Sequence, residues 1–314
     1  MPFVPKKQVY NAHIRTVTIG TGERAITIGG ENVLPLHTFD AEIENMPKIG
    51  VEIPDTAMAG YTMPGLQAFY AGCESAADMA RRAEHMEGAS FLCLHFEGAD
   101  PNGLNRSVED CVAIAEEAAA ATAMPLVILG CKNAEKDAAL FAALAEVFKD
   151  RNVLFLSACD ENYKQLLPLA AEPYSHRIGA ESAVDINLAK QLNTVMLQAG
   201  ADGSSVVMNI GSAAAGYGYE YVASTMDRIR DAALKQADTM LQMPIITPIS
   251  TEAWAVKEAM MPETDQPEWG NQEQRGIEME ITTAAAALTG GADAVMMRHP
   301  AAIRAIAQMI EALA

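Results

Sequence analysis

Eight times along this chain a short apolar run gives way to an Ala- and Glu-rich stretch with helical spacing. The runs begin near Ile49 (IGVEIPD), Phe91 (FLCLHFEG), Leu126 (LVILGC), Val153 (VLFLSACD), Arg177 (RIGAESAVD), Ser205 (SVVMNIG), Ile245 (IITPIS) and Ala294 (AVMMRHP). Several are continuously apolar over four to six residues. A strand without polar alternation has both faces covered, by helices on one side and a core on the other. Strand–helix alternation repeated eight times predicts a (β/α)8 TIM barrel, with an open doubly wound parallel sheet as the runner-up. The chain has 314 residues, half of them hydrophobic, enough for one large core without disulfides or metal. Length alone would suggest two domains, yet α/β barrels of ~250 residues and more are routinely one.

Helix starts are marked by capping residues. Ser107-Val-Glu-Asp110 has a hydroxyl followed at the third position by an acid, and Asn133-Ala-Glu-Lys and Asp160-Glu-Asn follow the same logic. The helical stretches run over Ser107–Ala123, Asn133–Asp150, Ile186–Ala199 and Asn271–Leu288. The first 45 residues differ. Arg15-Thr-Val-Thr-Ile19 and Ala25-Ile-Thr-Ile28 alternate β-branched residues around Gly20–Gly22, a hairpin signal. The chain therefore divides into an amino-terminal extension with a β-hairpin, 1–45, and a barrel, 46–314, whose amino-terminal mouth the hairpin is expected to plug. One βα connection, Glu258 to Gln274, is long and polar, as connections that carry function or contact partners often are.

A formal charge of −19 leaves nothing to neutralise phosphates in bulk, which argues against nucleic acid and anionic membranes as partners. No apolar run approaches 18 residues and the amino terminus lacks the apolar core of a signal peptide, so the expected location is cytoplasmic. The five cysteines (Cys73, Cys93, Cys111, Cys131, Cys159) are scattered and unpaired by any CxxC spacing. They read as reduced thiols, and they cannot supply a self-contained iron–sulfur cluster of the usual four-cysteine spacing.

In a barrel, functional groups gather at the carboxyl ends of strands. Those positions hold Glu52 and Asp55, His95 and Glu97, Lys132, Asp160, Glu181 and Asp185, Asn209, Thr247 and Ser250, then Arg298 and His299. His95-Phe-Glu97 with Asp160 would make a carboxylate–imidazole metal site, but no further His lies nearby, and a histidine bonded to its neighbours is the simpler reading. Cys131 and Cys159 end strands without a nucleophile elbow, and Ser157 reads as interior. Glu52-Ile-Pro-Asp55 lacks the glycines of a phosphate-binding turn.

The loop after Asn209 is the most distinctive. It combines Gly211, Gly216 and Gly218 with Tyr217, Tyr219 and Tyr221, before a helix expected from about Tyr221. Glycine allows close backbone approach or positive φ, and tyrosine offers a flat apolar face with a polar tip. Such a loop suits a large flat ligand or a partner surface; the plainer reading is a βα turn with tyrosines packed on the rim.

The segment Gly216-Tyr-Gly-Tyr-Glu-Tyr221 followed by Met226-Asp-Arg-Ile-Arg230 resembles the small (delta) subunit of the corrinoid iron–sulfur protein of the acetyl-CoA decarbonylase/synthase system. Archaeal members carry a similar segment after a strand ending Asp-Pro-Thr-Thr. Here the strand ends Asn209-Ile-Gly-Ser212, which is closer to the bacterial acetogen branch. A second match is Glu280-Ile-Thr-Thr-Ala through Leu288, then Gly290-Gly-Ala-Asp-Ala-Val-Met-Met-Arg-His-Pro300. The resemblance implies a barrel that caps a cobamide held by a larger subunit, with no catalytic or metal-ligating residue of its own. It further implies that the [4Fe–4S] cluster belongs to the large subunit. The partners expected are that large subunit, a methyltetrahydrofolate:corrinoid methyltransferase and acetyl-CoA synthase/CO dehydrogenase. The residues expected against the cofactor are Asn209, Gly211, Ser212, Gly216, Tyr217, Gly218, Tyr219, Arg298 and His299. The rival reading is a free-standing folate-dependent methyltransferase, with Asp160, Glu181 and Asn209 hydrogen-bonding a pterin; a metal-dependent barrel lyase or aldolase is a third.

Overall fold

A computed structural model describes residues 4, 6–59, 61–170 and 174–314; the first residues of the extension, 1–3 and 5, lie outside the described residues. Two short strands, β1 (Val17–Ile19) and β2 (Ile26–Ile28), form the antiparallel hairpin expected around Gly20–Gly22. Eight parallel strands then close into a barrel: β3 (Lys48–Pro54), β4 (Phe91–His95), β5 (Leu126–Leu129), β6 (Leu154–Ala158), β7 (Arg177–Glu181), β8 (Val206–Asn209), β9 (Ile245–Pro248) and β10 (Ala294–Met297). All eight coincide with the apolar runs. The closure joins β10 to β3, with Val295 beside Ile49 and Met297 beside Val51.

Along each strand the side chains alternate between two cores, as the pleat requires. Ile49, Val51, Ile53, Leu92, Leu94, Ile128 and Phe155 face outward to the helices. Cys93, Val127, Leu129, Leu154, Leu156, Val207, Ile246 and Met296 face inward, where Val17, Ile19, Ile26 and Ile28 of the hairpin join them. Polar groups seat the hairpin at the amino-terminal mouth: Asn152 Nδ2 donates to the carbonyls of Thr18 and Gly20, and Arg177 Nε to that of Thr18. Asn152 and Arg177 stand where β6 and β7 begin, so the plug closes that end. Two interior glycines answer to large neighbours. A Cβ at Gly50 would overlap the Phe91 ring, and one at Gly179 the Leu156 side chain.

The helices are α1 (Pro64–Phe69), α2 (Ala76–Ala83), α3 (Val108–Ala121), α4 (Ala134–Val147), α5 (Tyr163–Leu166), α6 (Ile186–Gln198), α7 (Tyr219–Arg230), α8 (Ile249–Ala253), α9 (Lys257–Met260), α10 (Gln272–Gly290) and α11 (Pro300–Leu313). Ser107 caps α3 by accepting from Asp110 N at 3.0 Å, and Asn133 caps α4 by accepting from Lys136 N at 2.9 Å. The cap expected at Asp160 is not formed. Asn162 instead accepts from Cys159 N, closing a turn on itself, and α5 begins at Tyr163 as a single helical turn. None of the helices described is long and apolar enough to cross a membrane.

Candidate functional site at the carboxyl mouth of the barrel

The strands deliver seven of the expected polar residues to one mouth: Glu52, His95, Lys132, Glu181, Asn209, Ser250 and Arg298. Near the β10–β3 seam Glu52 is wholly buried and accepts three hydrogen bonds. They come from His95 Nδ1 at 3.2 Å, Arg298 Nη2 at 3.1 Å and the Ser250 hydroxyl. Burial alone would raise its carboxyl; the His95 bond and the Arg298 charge outweigh that and bring it down to about 2. Glu52 is therefore a carboxylate, and His95 carries its proton on Nδ1. The Arg298 guanidinium also lies over the Tyr61 ring, 5.2 Å from its centroid. Beneath them Glu280, fully buried, accepts from the backbone amides of Arg298 (2.6 Å) and His299 (3.1 Å). Burial pushes its carboxyl up to about 7.

Across the mouth, Asn209 Nδ2 donates to Ser157 Oγ at 2.7 Å and to Glu181 Oε2 at 3.5 Å. Two adjoining cavities of about 210 Å³ each open here, sharing Leu129, Lys132 and Glu181 as walls. The Ser212 hydroxyl is buried without a partner at the edge of the second. The backbone is unusual here. Lys132 (φ 64°), Ala183 (φ 46°) and Val184 (φ 64°) all take left-handed conformations, and a β-branched residue there is a true outlier. Strain of this kind collects at binding sites.

The glycine–tyrosine loop borders these cavities. Asn209 Oδ1 accepts from Gly211 N at 3.1 Å, and Gly211, Gly216 and Gly218 all have positive φ, 79°, 83° and 89°. Tyr217 is 48 % exposed and its hydroxyl donates to Glu258 Oε2 at 2.6 Å; Tyr221 is 70 % exposed. Tyr219 behaves differently. The helix starts there, two residues earlier than expected, and the ring turns into the outer core, 9 % exposed. It is a packing residue and shows no face at the rim.

His299 also departs from expectation. It is buried, its Nδ1 accepts from Ala301 N at the start of α11, and its Nε2 donates to Glu273 Oε1 at 3.2 Å. The ring stacks on Trp254 at 5.8 Å. Its role here is that of a helix cap. Asp185 likewise caps α6, and Asp55 binds Gly98 N and Arg106. His95 and Glu97 part company, since Glu97 accepts from the Thr56 hydroxyl at 2.6 Å. Among the described residues no group of three or more His, Cys, Asp or Glu is placed to hold a metal ion. Cys131 donates to Asp137 at 3.2 Å and burial pushes its thiol up to about 12, while burial also raises Cys159. Neither thiol is activated as a nucleophile.

Reasoning from strand ends missed Tyr61 and Glu280. Tyr61 follows β3 by several residues, and Glu280 lies mid-helix in α10, where an acid ordinarily faces solvent. The long connection Glu258–Gln274 proves ordered by Arg275, which donates to the carbonyls of Glu258 (2.7 Å), Gly270 and Met261.

Comparison with known proteins agrees with this architecture. Curated relatives include the acetyl-CoA decarbonylase/synthase complex subunit delta of Archaeoglobus fulgidus, 31 % identical over 99 % of this chain and 71 % of that protein. The same subunit of Methanocaldococcus jannaschii is 30 % identical, over 97 % of this chain and 75 % of its own length. Among solved structures, a dihydropteroate synthase of Yersinia pestis superposes with a TM-score of 0.55 at 14 % identity, covering 85 % of this chain and 93 % of that one. One from Xanthomonas albilineans gives 0.53 at 15 %, over 85 % and 93 %. Identity that low shows the barrel fold alone. Residues 16–308 match the sequence profile of the CO dehydrogenase/acetyl-CoA synthase delta subunit, and the chain belongs to that family.

Proposed function

We infer that this chain is the small subunit of a cytoplasmic, heterodimeric corrinoid iron–sulfur protein. In this reading it takes part in methyl transfer from a methyltetrahydrofolate:corrinoid methyltransferase to acetyl-CoA synthase/CO dehydrogenase in the reductive acetyl-CoA pathway. The observation that carries the reading is the family match along nearly the whole chain. The large subunit would hold the cobamide and the [4Fe–4S] cluster, and this chain would cap the corrin's outer face.

The residues at the mouth fit such a ligand. A corrin is a broad, largely apolar ring fringed with amides. The half-exposed Tyr217 and the exposed Tyr221 offer flat faces, and Gly216 has open space where a side chain would stand. Ser212 has a buried hydroxyl awaiting a partner. When bound, the corrinoid supplies the cobalt that carries the methyl group. The barrel's part is to exclude water and orient the ring. At the seam side of the mouth Glu52 is paired with Arg298 and His95, while Lys132 and Glu181 face the two adjoining cavities. Of the nine residues expected against the cofactor, Gly211, Ser212, Gly216, Tyr217 and Gly218 suit contact directly. Asn209 and Arg298 support the mouth from within, and Tyr219 and His299 hold the elements that carry it.

Coexpression with the cysteine-rich large subunit tests this. The expected product is a red-brown complex of about one to one, whereas the chain alone is colourless and does not move the methyl of methyltetrahydrofolate to free cobalamin. Tight folate binding by the isolated chain, with turnover, would make it a free-standing methyltransferase instead.

A further inference from the structure

Opposite the glycine–tyrosine loop the mouth has a second exposed apolar point. Leu104, 69 % exposed, stands in the connection from β4 to α3. In the closed order of strands β4 and β8 are four places apart whichever way the ring is followed, so the connections after them lie on opposite sides of the opening. The connection after β8 leads to Tyr217 and Tyr221, and the neighbouring one after β9 to Met260, 62 % exposed.

A lone exposed leucine is ordinary. This one is held out on a braced turn. The Asp100 carbonyl accepts from Gly103 N at 2.9 Å and from Asn105 N at 3.0 Å, and its carboxylate accepts from Asn102 N at 2.9 Å. Asp55 binds Gly98 N and Arg106 on either side of the turn, and Lys136 Nζ donates to Asn105 Oδ1 at 3.4 Å. An apolar side chain on a turn already ordered can enter a partner's surface with little further loss of backbone freedom.

Area and charge narrow what would cover it. Eight strands ~4.8 Å apart and tilted by ~36° make a ring roughly 15 Å across. A specific protein interface takes ~800 Å² of each partner, a disc about 32 Å across. A partner domain centred on the opening therefore overruns the ring by roughly 8 Å on every side and meets the loops of both rims. Contact confined to the glycine–tyrosine loop would leave the β4 side of the opening uncovered. Exposed acids lead around the rim, Asp160 and Glu161 after β6, Asp185 after β7 and Glu220 after β8, against Lys132 and Lys164. The complementary edge is basic.

We propose that the Leu104 turn is a docking point for the large subunit, whose corrin-holding domain spans the mouth from Leu104 to Tyr221 and Met260 and meets the acidic rim with basic residues. The proposal rests on the large-subunit reading given above and adds where that partner grips.

The test dilutes the coexpressed complex and follows its dissociation by sedimentation. Leu104→Asn, neutral so that the rim keeps its charge, should raise Kd about tenfold, and Tyr221→Ala should do the same. The two positions stand on opposite sides of the ring, so the double variant should lose about a hundredfold. Phe39→Asn is the control. Phe39 is 68 % exposed but lies at the other end of the barrel, where Thr38 Oγ1 donates to the Leu313 carbonyl at the end of α11. This change should leave Kd within about twofold of wild type. Each single variant should melt within about 1 °C of wild type, since these side chains are mostly in solvent. Raising salt from about 50 to about 500 mM should weaken the complex several-fold. A Leu104→Asn complex as tight as wild type, or a loss no greater than that from Phe39→Asn, would overturn the proposal, and a salt-independent Kd would remove the basic edge from it. No complex with the wild-type chain would instead refute the large-subunit reading, and the proposal with it.

Discussion

Glu52→Gln is the most informative single perturbation of the mouth. The change keeps the volume but replaces one accepting oxygen with a donor and removes the charge, leaving Arg298 buried without its counterion. Breaking a buried pair from one side costs about 3–5 kcal/mol. The titration of the carboxyl leads to a similar figure, since a group held from 4.5 down to about 2 contributes ~3 kcal/mol at neutral pH. For 314 residues the unfolding entropy near the midpoint is roughly 0.66 kcal/mol per kelvin, so Tm should fall by roughly 5–8 °C. The folded carboxyl titrates below the unfolded one. Its contribution is thus complete above about pH 5 and lost as pH falls from 4.5 towards 2. Thermal unfolding followed by circular dichroism at pH 7 and pH 3 should show the gap between wild type and Glu52→Gln shrinking at the lower pH. Pairing the change with Arg298→Met should recover part of the loss, because no lone charge remains. A gap under about 1 °C at pH 7, or one that does not shrink in acid, would refute the reasoning.

The two neighbouring tyrosines should part ways. Tyr217→Ala should leave Tm nearly unchanged while weakening association with the large subunit about tenfold in a binding titration. Tyr219→Ala should cost ~3–5 kcal/mol of stability, read as a lower Tm, because it empties core. Arg275→Ala should release the connection after α9, so that limited proteolysis cuts between residues 261 and 271 much sooner; an unchanged rate would show that the loop needs no such brace.

How far the sequence could be read depended on how local the determining physics is. The eight strands were legible because continuous burial demands continuous apolar residues, and the hairpin because β-branched alternation around glycines has few other uses. Ser107 and Asn133 announced their helices through bonds spanning only three residues. The fate of Tyr219 was harder to see. Tyr217, Tyr219 and Tyr221 look alike in a row with a spacing of two, as if along a strand. The helix begins at Tyr219, and on a helix residues two apart point roughly 200° from one another, so Tyr219 turns in and Tyr221 turns out. The polar cluster was legible only as a set of strand-end residues. Which of them meet depends on strand register and closure, since Glu52 finds Ser250 and Arg298 across separations of 198 and 246 residues. Asn162 was obscured by a competing local bond, which drew the cap residue into a turn before the helix could use it.

That same seam has a consequence for how the protein is made. β3 is the first barrel strand to leave the ribosome and β10 the last, and each is the other's neighbour. Until β10 emerges, β3 keeps an open edge, Glu52 lacks its guanidinium and the mouth has a gap in its wall. Arg230 adds a second late clasp. Buried at 1 % exposure, it joins Asp293 at 2.5 Å, just before β10, to Glu31 at 3.6 Å in the amino-terminal extension. A chain still in synthesis can thus build helices and most of the sheet while lacking the finished rim. Under the proposed capping role, nascent or shortened chains would be withheld from the partner, because part of the rim comes into being with the final strand.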